Sequence, residues 1–267
     1  MPFDFLYGIN TTISLLDINA GRRKIYEIII DSNKIKSPRL KEIIQKATVK
    51  GIPVKDLNPK DFLNYLRTNV SSNASQEELH SFQGIIARVS QYNYSDLDYF
   101  LENELKGKKD ALLVILDGIT DVGNFGSILR NCSAFGVDGV IISKNRCVEV
   151  TSKISKISSG ALEEVKIYRV VNIVRSMERL KAEDFWIYGT TVAEDPAVKS
   201  ADEMNFTFPL AVIFGSEGKG IGHLISKKCD FLITIGMAGT MKSLNVSTAS
   251  GIILYIIRHF QRSRGMR

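Results

Sequence analysis

The 267-residue chain is 44% hydrophobic and 24% charged, with a net charge of +6 and a pI near 9.1, which suits a soluble two-domain protein with a polyanionic partner. No apolar run reaches the ~18 residues that would span a bilayer, and the early acid in MPFDFLYGIN breaks the layout of a signal peptide. Cys132, Cys147 and Cys229 are too few and too scattered for a disulfide framework or a CxxC zinc site, so a reducing cytoplasm is the expected compartment and no metal is expected. In chain order, Lys24 to Asp31 (KIYEIIID) is a β-branched run ending in turn residues and predicts a strand. Pro38 to Lys50 has helical spacing, with Leu40, Ile43 and Ile44 apolar, and Gly51 ends it before a short strand at Ile52 to Val54. Asn58 and Pro59 open another helix through Leu66, with Asn58 as N-cap and Pro59 at the first helical position. The serine- and asparagine-rich stretch Asn69 to Glu78 predicts a loop, and Gly84 to Val89 the last strand of a small α/β unit.

Arg22, Arg23, Lys36, Arg39 and the lysines around them outnumber the acids of this unit and are predicted to meet the phosphates of a nucleic acid. A solvated helix face accounts for the same charges equally well. Glu102 to Asp110 (ENELKGKKD) is charged and glycine-containing and predicts an interdomain linker, so that residues 1–101 and 111–267 are the expected domains.

From Ala111 the pattern changes. Ala111 to Leu116, Gly139 to Ile142, Val165 to Val170, Trp186 to Thr190, Leu210 to Phe214 and Phe231 to Ile235 are short apolar runs separated by helical segments. That alternation predicts an α/β domain with a parallel sheet covered on both faces, closed by a long helix over Ser243 to Arg262.

Three motifs follow predicted strands, where open α/β sheets bind ligands. The first is Asp117 to Ser127 (DGITDVGNFGS), in which Gly123 and Gly126 permit a tight turn, Asn124 can cap the new helix, and Arg130 can project back toward the crevice. The second, Gly215-Ser216-Glu217-Gly218-Lys219-Gly220, lets the backbone approach a ligand and places a carboxylate beside it. Gly220 follows Lys219 where a phosphate loop needs Ser or Thr, and the spacing is not GxGxxG. The third runs from Ile235 through Met237 to Ser243, Leu244, Asn245 and Ser247, a loop of backbone amides and short polar side chains suited to a purine and a zwitterionic tail. Each motif alone is also explained as a structural turn or cap.

In this order and spacing the three motifs resemble those of the SpoU (TrmH-like) branch of the SPOUT RNA ribose methyltransferases. Lys156 to Ala161 (KISSGA), followed by Val165 to Val170, resembles the segment between the family's first two motifs. The N-terminal unit, from Tyr7-Gly8-Ile9-Asn10 to Gln83-Gly84-Ile85-Ile86-Ala87, resembles the L30e-like RNA-binding domain of bacterial enzymes that methylate a guanosine ribose in 23S ribosomal RNA. The resemblance implies an S-adenosyl-L-methionine-dependent 2′-O-methyltransferase with a C-terminal trefoil knot, acting as a homodimer with a composite site. RNA is the implied partner, with no membrane and no DNA.

Position by position, the resemblance puts Asn124, Arg130, Glu217, Ser243 and Asn245 at the reaction centre and Gly215, Ile235 and Leu244 around the cofactor, where Ser216, Met237 and Asn245 are expected beside them. Arg130 is expected on RNA as well, together with Arg22, Arg23, Lys36 and Arg39, which their charge alone points to. The sequence departs from the family where Val122 and Gly123 replace a Pro-containing step, Gly236 replaces a Pro, and Phe82 replaces a His. None of these removes a reacting group. A transfer RNA ribose, or a non-catalytic role in ribosome assembly, are the competing expectations.

Overall fold

The computed structural model describes residues 3–18, 22–71, 75–105, 108–192 and 197–265. It divides into two compact units, Met1–Asn93 with Val150–Glu164, and Tyr94–Glu149 with Val165–Arg267.

The first unit contains β1 (Phe3–Tyr7), α1 (Ile9–Ile18), β2 (Ile25–Asp31), α2 (Pro38–Val49), β3 (Val54–Leu57), α3 (Pro59–Asn69), α4 (Gln76–Ser81) and β4 (Ile85–Ser90). The sheet order is β1-β4-β2-β3, with β4 antiparallel to β1 and β2 and β3 parallel to β2. Alternation along β2 sends Ile28 and Ile30 to one face, where Leu40, Ile43 and Ala47 of α2 meet them, and Ile29 to the other, against Phe62 and Leu66 of α3. Asn58 caps α3 as expected, its side chain accepting from Asp61 N at 3.0 Å. The strand expected at 52–54 lies at 54–57, while β1 and α1 had no counterpart in the sequence reading. Of the loop expected over 69–78, Asn69 closes α3, residues 72–74 fall outside the described residues, and residues 76–78 belong to α4 instead.

The second unit opens with α5 (Leu97–Tyr99), which continues as a π-helical turn over Phe100–Glu104, then β5 (Leu112–Asp117), α6 (Val122–Ala134) and β6 (Gly139–Ser143). The chain next returns to the first unit for α7 (Ser152–Ile157) and α8 (Ala161–Glu164). It completes the second unit with β7 (Ile167–Val170), α9 (Ile173–Lys181), β8 (Trp186–Thr190), β9 (Val198–Ser200), β10 (Leu210–Gly215), α10 (His223–Lys228), β11 (Phe231–Thr234) and α11 (Val246–Ser263). The seven strands run parallel in the order β7-β6-β5-β10-β8-β11-β9. Every residue of β5 and β10 is buried, as strands covered on both faces require.

Two expectations are corrected here. Glu102 to Asp110 is not simply a linker: Phe100, Leu101 and Leu105 are buried in the second unit's core with Ile115, Ile141 and Met177, so the division lies at Asn93/Tyr94 rather than near residue 101. Residues 106 and 107 of the expected linker fall outside the described residues. Arg22 and Arg23 are not surface cations. Both are buried, where Arg22 donates to the backbone oxygens of Glu163 (3.1 Å) and Glu164 (3.0 Å) and Arg23 pairs with Asp4 (2.8 Å) and Glu163 (3.5 Å). Guanidiniums buried in this way are unavailable to RNA, and here they fasten α8 within the first unit. Lys36 and Arg39 remain exposed, Arg39 donating to Asn10 Oδ1 at 3.0 Å.

Candidate active site

At the carboxyl ends of β8, β10 and β11 lies a cavity of about 670 Å³. Its wall is built from Thr190 and Thr191 at the end of β8, the turn 215–221 at the end of β10, and Ile235, Met237 and residues 242–246 leading into α11. The turn after β10 closes on itself, Ser216 and Gly220 exchanging backbone hydrogen bonds of 3.1 and 2.9 Å. Gly215 is required there, because a Cβ would stand 2.0 Å from the backbone carbon of Gly220. Asp117, at the end of neighbouring β5, accepts from Gly222 N at 2.8 Å and holds the far side of this turn. The fixed turn leaves Glu217 exposed at the cavity wall.

Glu217 meets two side chains from distant parts of the chain. Asn124 Nδ2 donates to Glu217 Oε1 at 3.2 Å, and Asn245 Nδ2 donates to both Glu217 Oε1 and, at 2.9 Å, Asn124 Oδ1. Asn245 is also the N-cap of α11, its Oδ1 accepting from Ser247 N at 2.9 Å and Ser247 Oγ at 2.6 Å. The cap fixes which way its amide nitrogen points. Asn124 does not cap α6. Asp121 does, accepting from Asn124 N at 2.7 Å, which leaves the Asn124 side chain free for Glu217 and Asn245. Asp121 was legible as an acid three residues before Asn124, the spacing of a cap and the amide it receives.

Helices α6 and α11 carry the two asparagines and are tied side by side. Asn131 Nδ2 donates to Ser247 O (2.8 Å) and Ser250 Oγ (2.9 Å), while buried Arg258 donates to Phe135 O at 2.6 Å and also to Gly136 O. A guanidinium at the carboxyl end of α6 satisfies carbonyls that the helix leaves open and complements its dipole.

All of Gly215, Ser216, Ile235, Met237, Leu244 and Asn245 line the cavity, with Glu217 and Ser243. Thr190, Thr191 and Lys242 line it too and were not singled out from the sequence, since nothing in a strand end or a lone lysine marks it. Arg130 is not brought to the wall. Six residues beyond Asn124 is about 120° around an α-helix, and Arg130 lies exposed with no hydrogen bond or ion pair among the described residues. Among the described residues no group of three His, Cys, Asp or Glu side chains could hold a metal.

A family description, the SpoU rRNA Methylase family, matches residues 111–255, which contain every residue that lines the cavity. The chain belongs to the SpoU rRNA methylase family. A Synechocystis protein described as an uncharacterized tRNA/rRNA methyltransferase is 36% identical over 254 residues, covering 95% of this chain. The chain spans only 62% of that relative's length. A Bacillus subtilis protein named as a TrmH family tRNA/rRNA methyltransferase is 34% identical over 252 residues, 94% of each chain. Among solved structures, the SpoU methyltransferase AviRb of Streptomyces viridochromogenes, in complex with the cofactor AdoMet, superposes with a TM-score of 0.75. That match is 22% identical and covers 98% of this chain and 91% of AviRb, so it establishes the SPOUT methyltransferase fold.

Proposed function

We propose that the protein transfers a methyl group from S-adenosyl-L-methionine to a ribose 2′-hydroxyl of RNA, with a guanosine of 23S ribosomal RNA as its target. The observation that carries this reading is the hydrogen-bonded set Asn124, Glu217 and Asn245, of which Glu217 and Asn245 line the cavity. The lining suits the cofactor: Ile235, Met237 and Leu244 offer apolar surface to a purine, while Ser216, Thr190 and the turn backbones offer short polar groups to an amino-acid tail. When bound, the cofactor supplies a methyl group activated by its sulfonium charge, so the chain's own residues have only to align the ribose and assist loss of a proton. Glu217 and Asn245 hold the loops and the ribose. Arg130 binds an RNA phosphate and stabilises the charge developing on the 2′-oxygen, whose proton passes to the phosphate or a water, because a guanidinium stays protonated.

Arg130's exposure, and its absence from the residues that line the cavity, support a homodimer in which one protomer's Arg130 completes the site of the other. The position of β10 between β5 and β8 supports the trefoil threading that the family resemblance implies. The first unit is the RNA-binding domain, with Lys36 and Arg39 as phosphate contacts. Three unpaired cysteines among the described residues support a reducing cytoplasm.

The test incubates the protein with labelled S-adenosylmethionine and unmodified ribosomal or transfer RNA, then maps ribose methylation by resistance to alkaline cleavage. A protected guanosine in 23S RNA is the expected result. Label in transfer RNA alone would move the substrate, and absence of cofactor binding by calorimetry would leave only an RNA-binding role.

A further inference from the structure

On one face of the first unit's sheet, α3 covers only part of the surface. Phe62 and Leu66 pack over Ile29 and Ile86, toward one end of the strands. The other end is left to side chains of a different kind. The register sets Phe5 of β1, Arg88 of β4 and Glu27 of β2 in one row across the sheet, and a bulge between Ile25 and Glu27 leaves Tyr26 without a partner position on β4. Arg88 lies between two rings, its Cζ 5.4 Å from the centre of Phe3 and 5.5 Å from that of Tyr26. Its Nε is pinned by buried Glu27 at 2.7 Å. Phe3 meets Phe5 edge-on at 5.4 Å, Phe5 meets Tyr65 of α3 edge-on at 6.1 Å, and Lys24 sits over Tyr26 at 5.6 Å.

This face is aromatic and cationic together. Phe3 is 48% exposed although it is a large apolar ring. Lys55 and Arg88 both pair with Glu27, Lys55 at 2.6 Å, so among these described contacts three cations, with Lys24 over Tyr26, share one carboxylate. An apolar protein surface laid here would strip water from those cations without replacing it. A nucleic-acid duplex could meet the charges but keeps the faces of its bases inside its own stack. A single strand offers both partners, a π-face for each ring and a phosphate for each cation.

We propose that this face binds unpaired bases of RNA by stacking, with Phe3 and Tyr26 as the stacking surfaces and Lys24, Lys55 and Arg88 meeting the backbone. The inference rests on the RNA-modifying reading above and adds the form of RNA that the first unit takes. Glu27 neutralises part of the charge and holds Arg88 between the rings, so the platform is built before the strand arrives.

The test uses the full chain with Phe3→Leu and Tyr26→Leu combined, which keeps apolar bulk and removes both rings. Fluorescence anisotropy is read with a short labelled oligoadenylate and, separately, a labelled RNA duplex. Oligoadenylate affinity is expected to fall about tenfold or more, since each stacked base contributes that much, with duplex affinity nearly unchanged. Phe3→Trp with Tyr26→Trp, which keeps a stacking ring at each place, is expected to bind oligoadenylate at least as tightly as the wild type. Unchanged oligoadenylate affinity in the leucine pair, equal loss on both probes, or a change in sedimentation that assigns the face to a second copy of the chain would overturn the proposal. Calorimetry with S-adenosylmethionine on the wild type reports on the methyltransferase reading by itself, so either idea can fail without the other.

Discussion

The amide of Asn245 reaches Asn124 Oδ1 at 2.9 Å across 121 positions of sequence, and the same nitrogen donates to Glu217. Asn245 therefore does two things at once, capping α11 with its oxygen and joining two loops with its nitrogen. The two roles separate by substitution. Asn245→Ala loses both and is expected to lower stability by about 1 kcal/mol, the usual value of an N-cap, and to abolish methyl transfer. Asn245→Asp keeps the capping oxygen but sets a carboxylate against Glu217, so it should hold more of the melting temperature while activity is still lost. Thermal denaturation beside a methyl-transfer assay tests this; an active Asn245→Asp enzyme would count against the amide bridge.

Arg130 is exposed, so its replacement should leave stability within about 0.5 kcal/mol of the wild type. Arg130→Ala is expected to be inactive and Arg130→Lys to retain measurable turnover, because charge survives without the fork. Wild-type RNA affinity with no turnover in Arg130→Lys would reject the electrostatic role.

Mixing tests the composite site. If each site takes Arg130 from one protomer and Asn245 from the other, combining inactive Arg130→Ala and Asn245→Ala chains should restore about a quarter of the activity, since half the random dimers carry one intact site. No recovery after subunit exchange would place both residues in the same protomer's site.

Gly215→Ala sets a Cβ 2.0 Å from Gly220 and 2.2 Å from Ile221 N, both backbone atoms that cannot swing aside. The turn has to open, at a cost of about 1–3 kcal/mol, and the cavity wall moves with it. Calorimetry should show S-adenosylmethionine binding reduced well before the fold is lost, and unchanged binding would mean that the turn is not a cofactor contact.

The buried pair of the first unit carries a pH signature. Burial, opposed by Arg23, raises the Glu163 carboxyl above its ordinary value of 4.5. A raised acid contributes stability that is full below that value and is lost as pH climbs through the folded-state pKa. Glu163→Gln can still accept from Ser155 Oγ, which lies 2.9 Å from Glu163 Oε1, and cannot ionise, so its stability relative to the wild type should rise as pH is taken from 4 to 8. Arg23→Met leaves Glu163 and Asp4 without their cation and should cost about 3–5 kcal/mol near neutral pH. Urea denaturation across that range measures both, and parallel pH profiles for wild type and Glu163→Gln would dismiss the effect.

The sequence by itself determined the parallel sheet and the chemistry around its strand ends. Continuous apolar runs such as Leu112 to Leu116 can be buried on both faces only in such a sheet, and glycine, asparagine and serine after those runs are informative because few residue types allow a tight turn or cap. Pairing across distance was decided only in three dimensions. That Asp121 and not Asn124 caps α6, that Arg130 is exposed and does not line the cavity, and that Arg22 and Arg23 are buried against α8 all depend on what lies opposite each side chain. Local spacing states which way a residue can point along its own helix. The partner it finds, Glu163 for Arg23 or Glu217 for Asn124, comes from a segment 140 positions away in one case and 93 in the other, and no short-range pattern encodes that meeting.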